Sequence, residues 1–189
     1  IRAGAGVNNI DLEKASSSGV YVSNCPGKNS DAVAELALGH IIACDRRIVD
    51  ASLDLRNGNW KKKAYQNAAG LKGRTMGIIG LGSIGGALAK LAKGLDMNVI
   101  AWSRSLTPDK ADELGLVYCK SIVEVAANAD VVSVHLAVTP DTKHLLNNDF
   151  FNKMKDGAIF VNTSRGEIVD TAALRKAIDE KAIRVGLDV

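Results

Sequence analysis

The chain has 189 residues, 47% of them hydrophobic, and 24 basic against 21 acidic side chains give a net charge of +3. That is enough for one full core with part of a second domain, and so small a basic excess argues against a nucleic-acid partner. Cys25, Cys44 and Cys119 are odd in number and lack C-x-x-C spacing, no apolar run reaches membrane-spanning length, and no signal peptide is visible; a zinc or other metal site, a disulfide framework and a membrane are not expected, and a cytoplasmic location is.

In chain order, Val20–Ser23 reads as a short strand stopped by Pro26–Gly27. Ser30 or Asp31 is the expected N-cap of a long helix, with Glu35 in its first turns. That helix runs from Ala32 to about Leu55, with Leu36, Leu38, Ile41, Ile42, Ile48 and Leu53 as apolar members. Within it, His40 reads as a packed or interface residue and Cys44 as a small core residue. Asn57–Gly70 reads as a surface loop carrying the solvated run Lys61–Lys63. A strand at Met76–Ile79, a helix starting near Ile84 and a strand at Val99–Trp102 follow. Short helices at Asp109–Leu114 and Ser121–Asn128 flank a strand at Val117–Cys119, and Ser121 with Glu124 forms a capping box. Val131–Val138 is a β-branched run suited to a buried parallel strand. His144 lies in a polar surface segment; Asn148–Met154 is helical, Ala158–Asn162 a strand, Thr171–Lys181 a helix and Ile183–Leu187 a strand. Repeated strand–helix alternation predicts an α/β fold, a Rossmann-type doubly wound parallel sheet with helices on both faces. Ligands of such a sheet sit at its C-terminal strand ends. Residues 80–85, 103–105, 135–139 and 163–165 and Asp188 are therefore expected at one crevice.

The glycines at that crevice specify a ligand class. Gly80, Gly82 and Gly85 stand between strand and helix, the context of a dinucleotide fingerprint. Gly80 permits the tight turn, Gly82 lets a pyrophosphate approach, and Gly85 lets helix and strand pack closely. Ser83 and Ile84 open the helix, whose unpaired N–H groups and positive dipole end suit phosphates. No Lys-Ser or Lys-Thr follows, which excludes a P-loop. The eighteenth residue after Gly85 is Ser103, where an NAD site carries an acidic residue for the ribose hydroxyls. Ser103, Arg104 and Ser105 instead offer hydroxyls and a guanidinium to a 2′-phosphate, which favours NADP over NAD. The alternative is a solvated Arg104 and a site that takes either cofactor. Arg165 follows a buried strand and precedes Gly166; there it can clamp a substrate carboxylate, or it is a surface arginine in a turn. His135 ends a core strand; position alone allows a general acid, and contact with the cofactor is the reading taken.

With these residues in place the chain resembles the D-2-hydroxyacid dehydrogenases, most closely their D-3-phosphoglycerate dehydrogenase-like branch. The matching segments are Arg2–Asp11, Asn24–Ser30 with Ala34-Glu35-Leu36 and Arg46-Arg47, the glycine fingerprint, the Val-Ser-Val-His-Leu strand with Thr139-Pro140, and Asn162–Gly166. The resemblance implies substrate carboxylate on the backbone N–H groups of Ala5 and Gly6, Asn29 in the active cleft, and Arg165 as catalytic arginine. It implies Asp188 on the nicotinamide carboxamide and His135 beside the cofactor, where the strand-tip position also places Thr163. It implies the end of a substrate domain at residues 1–28 and a dinucleotide domain at 29–189, with a homodimer formed through the latter. The substrate is a 2-hydroxy or 2-oxo acid, 3-phosphoglycerate first and glyoxylate or hydroxypyruvate second; formate dehydrogenase and a non-enzymatic, NAD(H)-sensing corepressor-like protein are alternatives. Ile1 and Asp188–Val189 do not read as natural ends. The family's catalytic Glu and His fall beyond Val189, so the fragment is expected to bind cofactor and turn over little substrate.

Overall fold

The computed structural model describes residues 1–7 and 9–189; Asn8, part of the expected substrate loop, lies outside them. Six parallel strands form the sheet: β1 (Thr75–Ile79), β2 (Asn98–Trp102), β3 (Val117–Tyr118), β4 (Val131–Val134), β5 (Ile159–Asn162) and β6 (Arg184–Leu187). Their order is β3-β2-β1-β4-β5-β6, with the reversal point between β1 and β4. This is the doubly wound arrangement expected from the alternation.

Helices cover both faces. On one side lie α2 (Ser30–Arg46), α4 (Ser83–Gly94) and α5 (Pro108–Glu113); on the other, α6 (Ile122–Asn128), α7 (Asn148–Lys153) and α8 (Thr171–Lys181). The first face closes on small side chains: Ala34 and Ala37 of α2 and Ala89 and Ala92 of α4 are buried, so the two helices approach closely. The second closes on aromatic bulk. Phe150, Phe151 and Phe160 meet edge to face at 5.2–6.4 Å, and each buried ring contributes about 1.5–3 kcal/mol. Gly77 in β1 belongs to this packing: a Cβ there would stand 2.5 Å from Val125 and 2.8 Å from Ala129.

Several elements differ from expectation. The helix expected over 32–55 breaks at Arg47 (φ 53°), dividing α2 from α3 (Ile48–Arg56). The Arg47 guanidinium bonds Asp50 at 2.9 Å and stacks over Tyr65, contacts that hold the break. Leu36, Ile48 and Leu53, expected as apolar face, are 41–57% exposed, and Ile41 is buried. Asn29, not Ser30 or Asp31, is the N-cap of α2, and it makes no side-chain cap bond. The apolar run 131–138 is strand only to Val134. Its neighbour β1 ends opposite it, at Ile79, because the chain turns at Gly80, and nothing remains to pair with. Val20–Ser23 is extended without being a strand; two bonds, Arg2 N to Ser23 O and Cys25 N to Gly4 O, tie that stretch to residues 2–4. A short helix α1 (Leu12–Ser17), capped by Asp11, was not anticipated, nor was a 3-10 turn at Lys62–Tyr65 inside the expected loop. Thr171–Lys181 and the Ser121 cap agree with expectation.

Candidate functional site

Parallel register makes the site a row. Ile79 lies opposite Trp102 and Val134, Val134 opposite Asn162, and Asn162 opposite Leu187. The next residue of each strand is therefore Ser103, Gly80, His135, Thr163 and Asp188, side by side across the C-terminal edge. Backbone bonds fix the row: Gly80 N donates to Trp102 O (2.8 Å), His135 N to Ile79 O (2.8 Å), and Asp188 N to Asn162 O (3.1 Å). Every crevice segment expected from the strand pattern is thus brought together.

The three glycines act for three different physical reasons. Gly80 has φ +97°, and a Cβ would meet the His135 carbonyl at 2.5 Å. At Gly85 a Cβ would stand 2.1 Å from Gly80 O, so helix α4 could not seat against the turn. At Gly82 a Cβ meets nothing within 4 Å: the space above it is open. Helix α4 has no capping side chain at Gly82, so the first-turn N–H groups at Ser83, Ile84 and Gly85 lack intrahelical partners. Open space over unpaired N–H groups at a positive dipole end fits a dinucleotide pyrophosphate. Beyond β2, Ser103 is half-buried and Arg104 and Ser105 are exposed. The Arg104 guanidinium forms no hydrogen bond or ion pair among the described residues.

His135 is unlike the other histidines. His40 packs against Gly186, where a Cβ would approach its own at 2.7 Å, and His144 is exposed with φ 51°. His135 is half-buried, and burial of its ring lowers the pKa to about 4. It is unprotonated near neutrality, which disfavours a general acid there. The Ser133 hydroxyl lies 3.0 Å from its Nε2. Its Nδ1 and the Thr163 hydroxyl are buried without a hydrogen-bond partner among the described residues.

A cleft of about 710 Å³ lies beside this row, lined by Arg2, Ala3, Gly4, Ala5, Gly6, Asn9, Asn29 and Arg165. Ala5, Gly6, Asn29 and Arg165 are thereby assembled as the expected substrate group. Two contributors were missed. Arg2 lines the same wall, although only its place beside the glycines of 2–11 could have suggested it. Asn162, 0% exposed, shapes the turn that carries Arg165. Its Oδ1 accepts from Ser164 N (3.0 Å) and Oγ (2.7 Å), and its Nδ2 donates to Arg165 O (2.9 Å). The signal was a polar side chain closing a β-branched run. No cluster of three or more His, Cys, Asp or Glu suited to a metal occurs among the described residues. No helix among them is long and apolar enough to cross a membrane.

The chain is similar in sequence and fold to known proteins. Glyoxylate reductase of Thermococcus litoralis is 43% identical over 97% of this chain and 57% of its own length. D-3-phosphoglycerate dehydrogenase of Methanocaldococcus jannaschii is 39% identical over the whole chain and 36% of its own length. The apo-structure of D-lactate dehydrogenase from Escherichia coli superposes with a TM-score of 0.90 at 36% identity, covering 98% of this chain and 58% of that one. The chain thus spans less than two thirds of the length of these relatives. Residues 38–189 match the family model of the D-isomer specific 2-hydroxyacid dehydrogenase NAD binding domain. The chain belongs to the D-isomer-specific 2-hydroxyacid dehydrogenase family.

Proposed function

We propose that these residues form the cofactor-binding core of a cytoplasmic oxidoreductase that moves a hydride between a nicotinamide cofactor and the C2 of a D-2-hydroxy acid. The observation that carries this reading is the open space over Gly82, at the uncapped start of α4, next to a cleft lined by Arg165 and the loop at Ala5–Gly6. The cofactor supplies or accepts the hydride. The chain binds and orients. Gly80, Gly82, Ser83, Ile84 and Gly85 hold the pyrophosphate, and Asp188 and Thr163 hold the nicotinamide end. Arg165 pairs with the substrate carboxylate and polarises the neighbouring carbonyl, with the Ala5 and Gly6 N–H groups and Asn29 completing the grip. A guanidinium stays charged and cannot donate the proton, so Arg165 orients the acid and does not act as the general acid. Residues 1–28 belong to the substrate domain and 29–189 to the dinucleotide domain in this reading. The exposed apolar side chains Ile48, Val49, Leu53, Leu55 and Trp60 offer a surface for a homodimer.

Similarity to glyoxylate reductases, hydroxypyruvate reductase and D-3-phosphoglycerate dehydrogenases supports a small 2-oxo acid substrate; 3-phosphoglycerate remains our first choice. The serine and arginine at 103–105 support NADP over NAD. Titration with NADH and NADPH tests both points. Wild-type protein should bind both and prefer NADPH. Arg104→Ala should weaken NADPH about tenfold or more, the value of a charge-assisted hydrogen bond, and leave NADH unchanged. Unchanged NADPH affinity in that variant removes the NADP assignment. No binding of either dinucleotide to wild type removes the functional reading itself.

A further inference from the structure

Strand β5 reads Ile159, Phe160, Val161, Asn162, and all four residues are fully buried. The first three suit such a strand. An asparagine does not, and a buried amide costs free energy unless its groups are met. The side chain of Asn162 finds its partners within three residues. Its Oδ1 accepts from Ser164 N at 3.0 Å and from Ser164 Oγ at 2.7 Å, and its Nδ2 donates to Arg165 O at 2.9 Å. Only one orientation of the amide does this: turned over, its nitrogen would face an N–H and its oxygen a carbonyl. The Ser164–Arg165 dipeptide is therefore held at both ends. Between those ends, Ser164 O accepts from Arg165 Nη1 at 2.7 Å, so the hold passes from the amide through the main chain to the guanidinium. The Arg165 backbone is extended, φ −153° and ψ 139°, and its side chain lines the cleft with Asn29, Ala5 and Gly6.

The main chain of the same residue serves the other half of the site. Asn162 lies opposite Val134 of β4 and Leu187 of β6, and its carbonyl accepts from Asp188 N at 3.1 Å. Its side chain thus holds the arginine of the cleft, and its main chain holds a tip of the cofactor row. An arginine side chain is long and free to turn, while a carboxylate takes the guanidinium fork in one plane. Fixing that fork before the acid arrives removes an ordering cost from binding. We propose that Asn162 is a positioning residue acting through Arg165: its amide fixes the Ser164–Arg165 dipeptide so that the guanidinium is presented to the carboxylate of a 2-hydroxy or 2-oxo acid. The inference rests on the substrate reading of the cleft above, and it assigns the Asn162 side chain to binding of the acid and not of the dinucleotide.

Oxalate, a planar dianion shaped like a small 2-oxo acid, is the probe, titrated into the protein saturated with NADH. Asn162→Ala should weaken oxalate about tenfold. NADH affinity should be unchanged, because the bond to Asp188 N is made by the main chain. The nitrogen-15 resonance of Arg165 Nε should shift on addition of oxalate in both proteins, at about tenfold higher oxalate in the variant. Ser164→Ala removes one of the three bonds and leaves the amide in place; it should weaken oxalate about threefold, and it carries the test if Asn162→Ala does not fold. Oxalate affinity equal to wild type in the folded variant overturns the proposal. Equal loss for oxalate and NADH means that the substitution deforms the edge as a whole, and overturns it too. Wild type that binds NADH and no oxalate removes the substrate reading of the cleft and the proposal with it, so that failure is distinct from one seen only in the variants.

Discussion

The two ends of the sheet use polar groups in opposite ways. At the N-terminal end the buried charge of Asp45 and the half-buried charges of Asp130 and Arg184 are met by the protein. Asp45, 2% exposed, accepts from Arg74 Nη1 and Gly70 N, both at 3.0 Å. Asp130 accepts from Thr75 N and Lys155 Nζ at 2.8 Å each. Arg184 reaches the carbonyls of Cys44 and Asp45 at 3.0 and 3.3 Å. At the C-terminal end the pattern inverts. His135 Nδ1 and Thr163 Oγ1 are buried and unmet, and α4 begins without a capping side chain. One end is complete in itself, whereas the other leaves buried polar groups unmet among the described residues. A polar group paired within the chain speaks for the fold, and one left unpaired at a strand tip speaks for a ligand.

The largest way to break that contrast is to remove a charge from the completed end. Asp45→Ala leaves Arg74 facing a site with no carboxylate and strands Gly70 N. Breaking a buried pair costs about 3–5 kcal/mol; Arg74 is 18% exposed, so the lower figure is the one expected. Denaturant unfolding should show that loss, while the surviving folded molecules bind dinucleotide with unchanged affinity. A fall in cofactor affinity without a fall in stability would mean that the two ends are not separable.

The next effect comes from pH acting on the open end. His135 has a folded pKa of about 4, against an unfolded value of about 6.5. Between those values the unfolded chain binds a proton that the folded one does not, so stability rises with pH across that window. The contribution is fully present above about pH 6.5 and is lost as pH falls toward 4. At about 1.4 kcal/mol per pKa unit it amounts to about 3 kcal/mol. Asp130 adds a loss at lower pH. Burial alone would raise its carboxyl, but the bonds from Lys155 and Thr75 and the charges of Lys155 and Arg74 outweigh that and hold it below its ordinary range. Unfolding followed from pH 7 to 4 should therefore be steeper in wild type than in His135→Gln, which keeps every carboxylate. Parallel curves would show that the ring is not the buried titrating group.

Much of this was legible in the residues, and the exceptions have physical causes. Strand tips could be placed because β-branched runs alternate with helical patterns, and parallel pairing then forces their ends into one row. Gly80, Gly82 and Gly85 were assigned three separate tasks, and the space around each agrees with its task. The break at Arg47 was not legible. Neither glycine nor proline marks it, and a contact with Tyr65, distant in sequence, stabilises the left-handed residue. The end of β4 was missed because the strand stops where its neighbour turns, a fact about Gly80 rather than about Val131–Val138. Asn162 was missed for a related reason. It closes an apolar run and looks like a minor interruption until its partners two and three residues on are seen.

The smallest change sharpens the contrast most, because it should alter binding with little cost to the fold. Gly82→Ala introduces one methyl group where nothing lies within 4 Å. The backbone there, φ −82° and ψ −160°, is open to any residue. Alanine caps a helix less well than glycine, so stability should fall by about 1 kcal/mol. The methyl group nevertheless occupies the approach to the unpaired N–H groups of Ser83, Ile84 and Gly85. NADH affinity should fall at least tenfold, about 1.4 kcal/mol, with only a small fall in melting temperature. The same methyl group at Gly85 would collide with the Gly80 carbonyl within the chain itself and should lower the melting temperature further. If Gly82→Ala instead binds NADH as wild type does, the pyrophosphate does not cross at this turn. The space over Gly82 would then be a gap in packing rather than the place of a ligand.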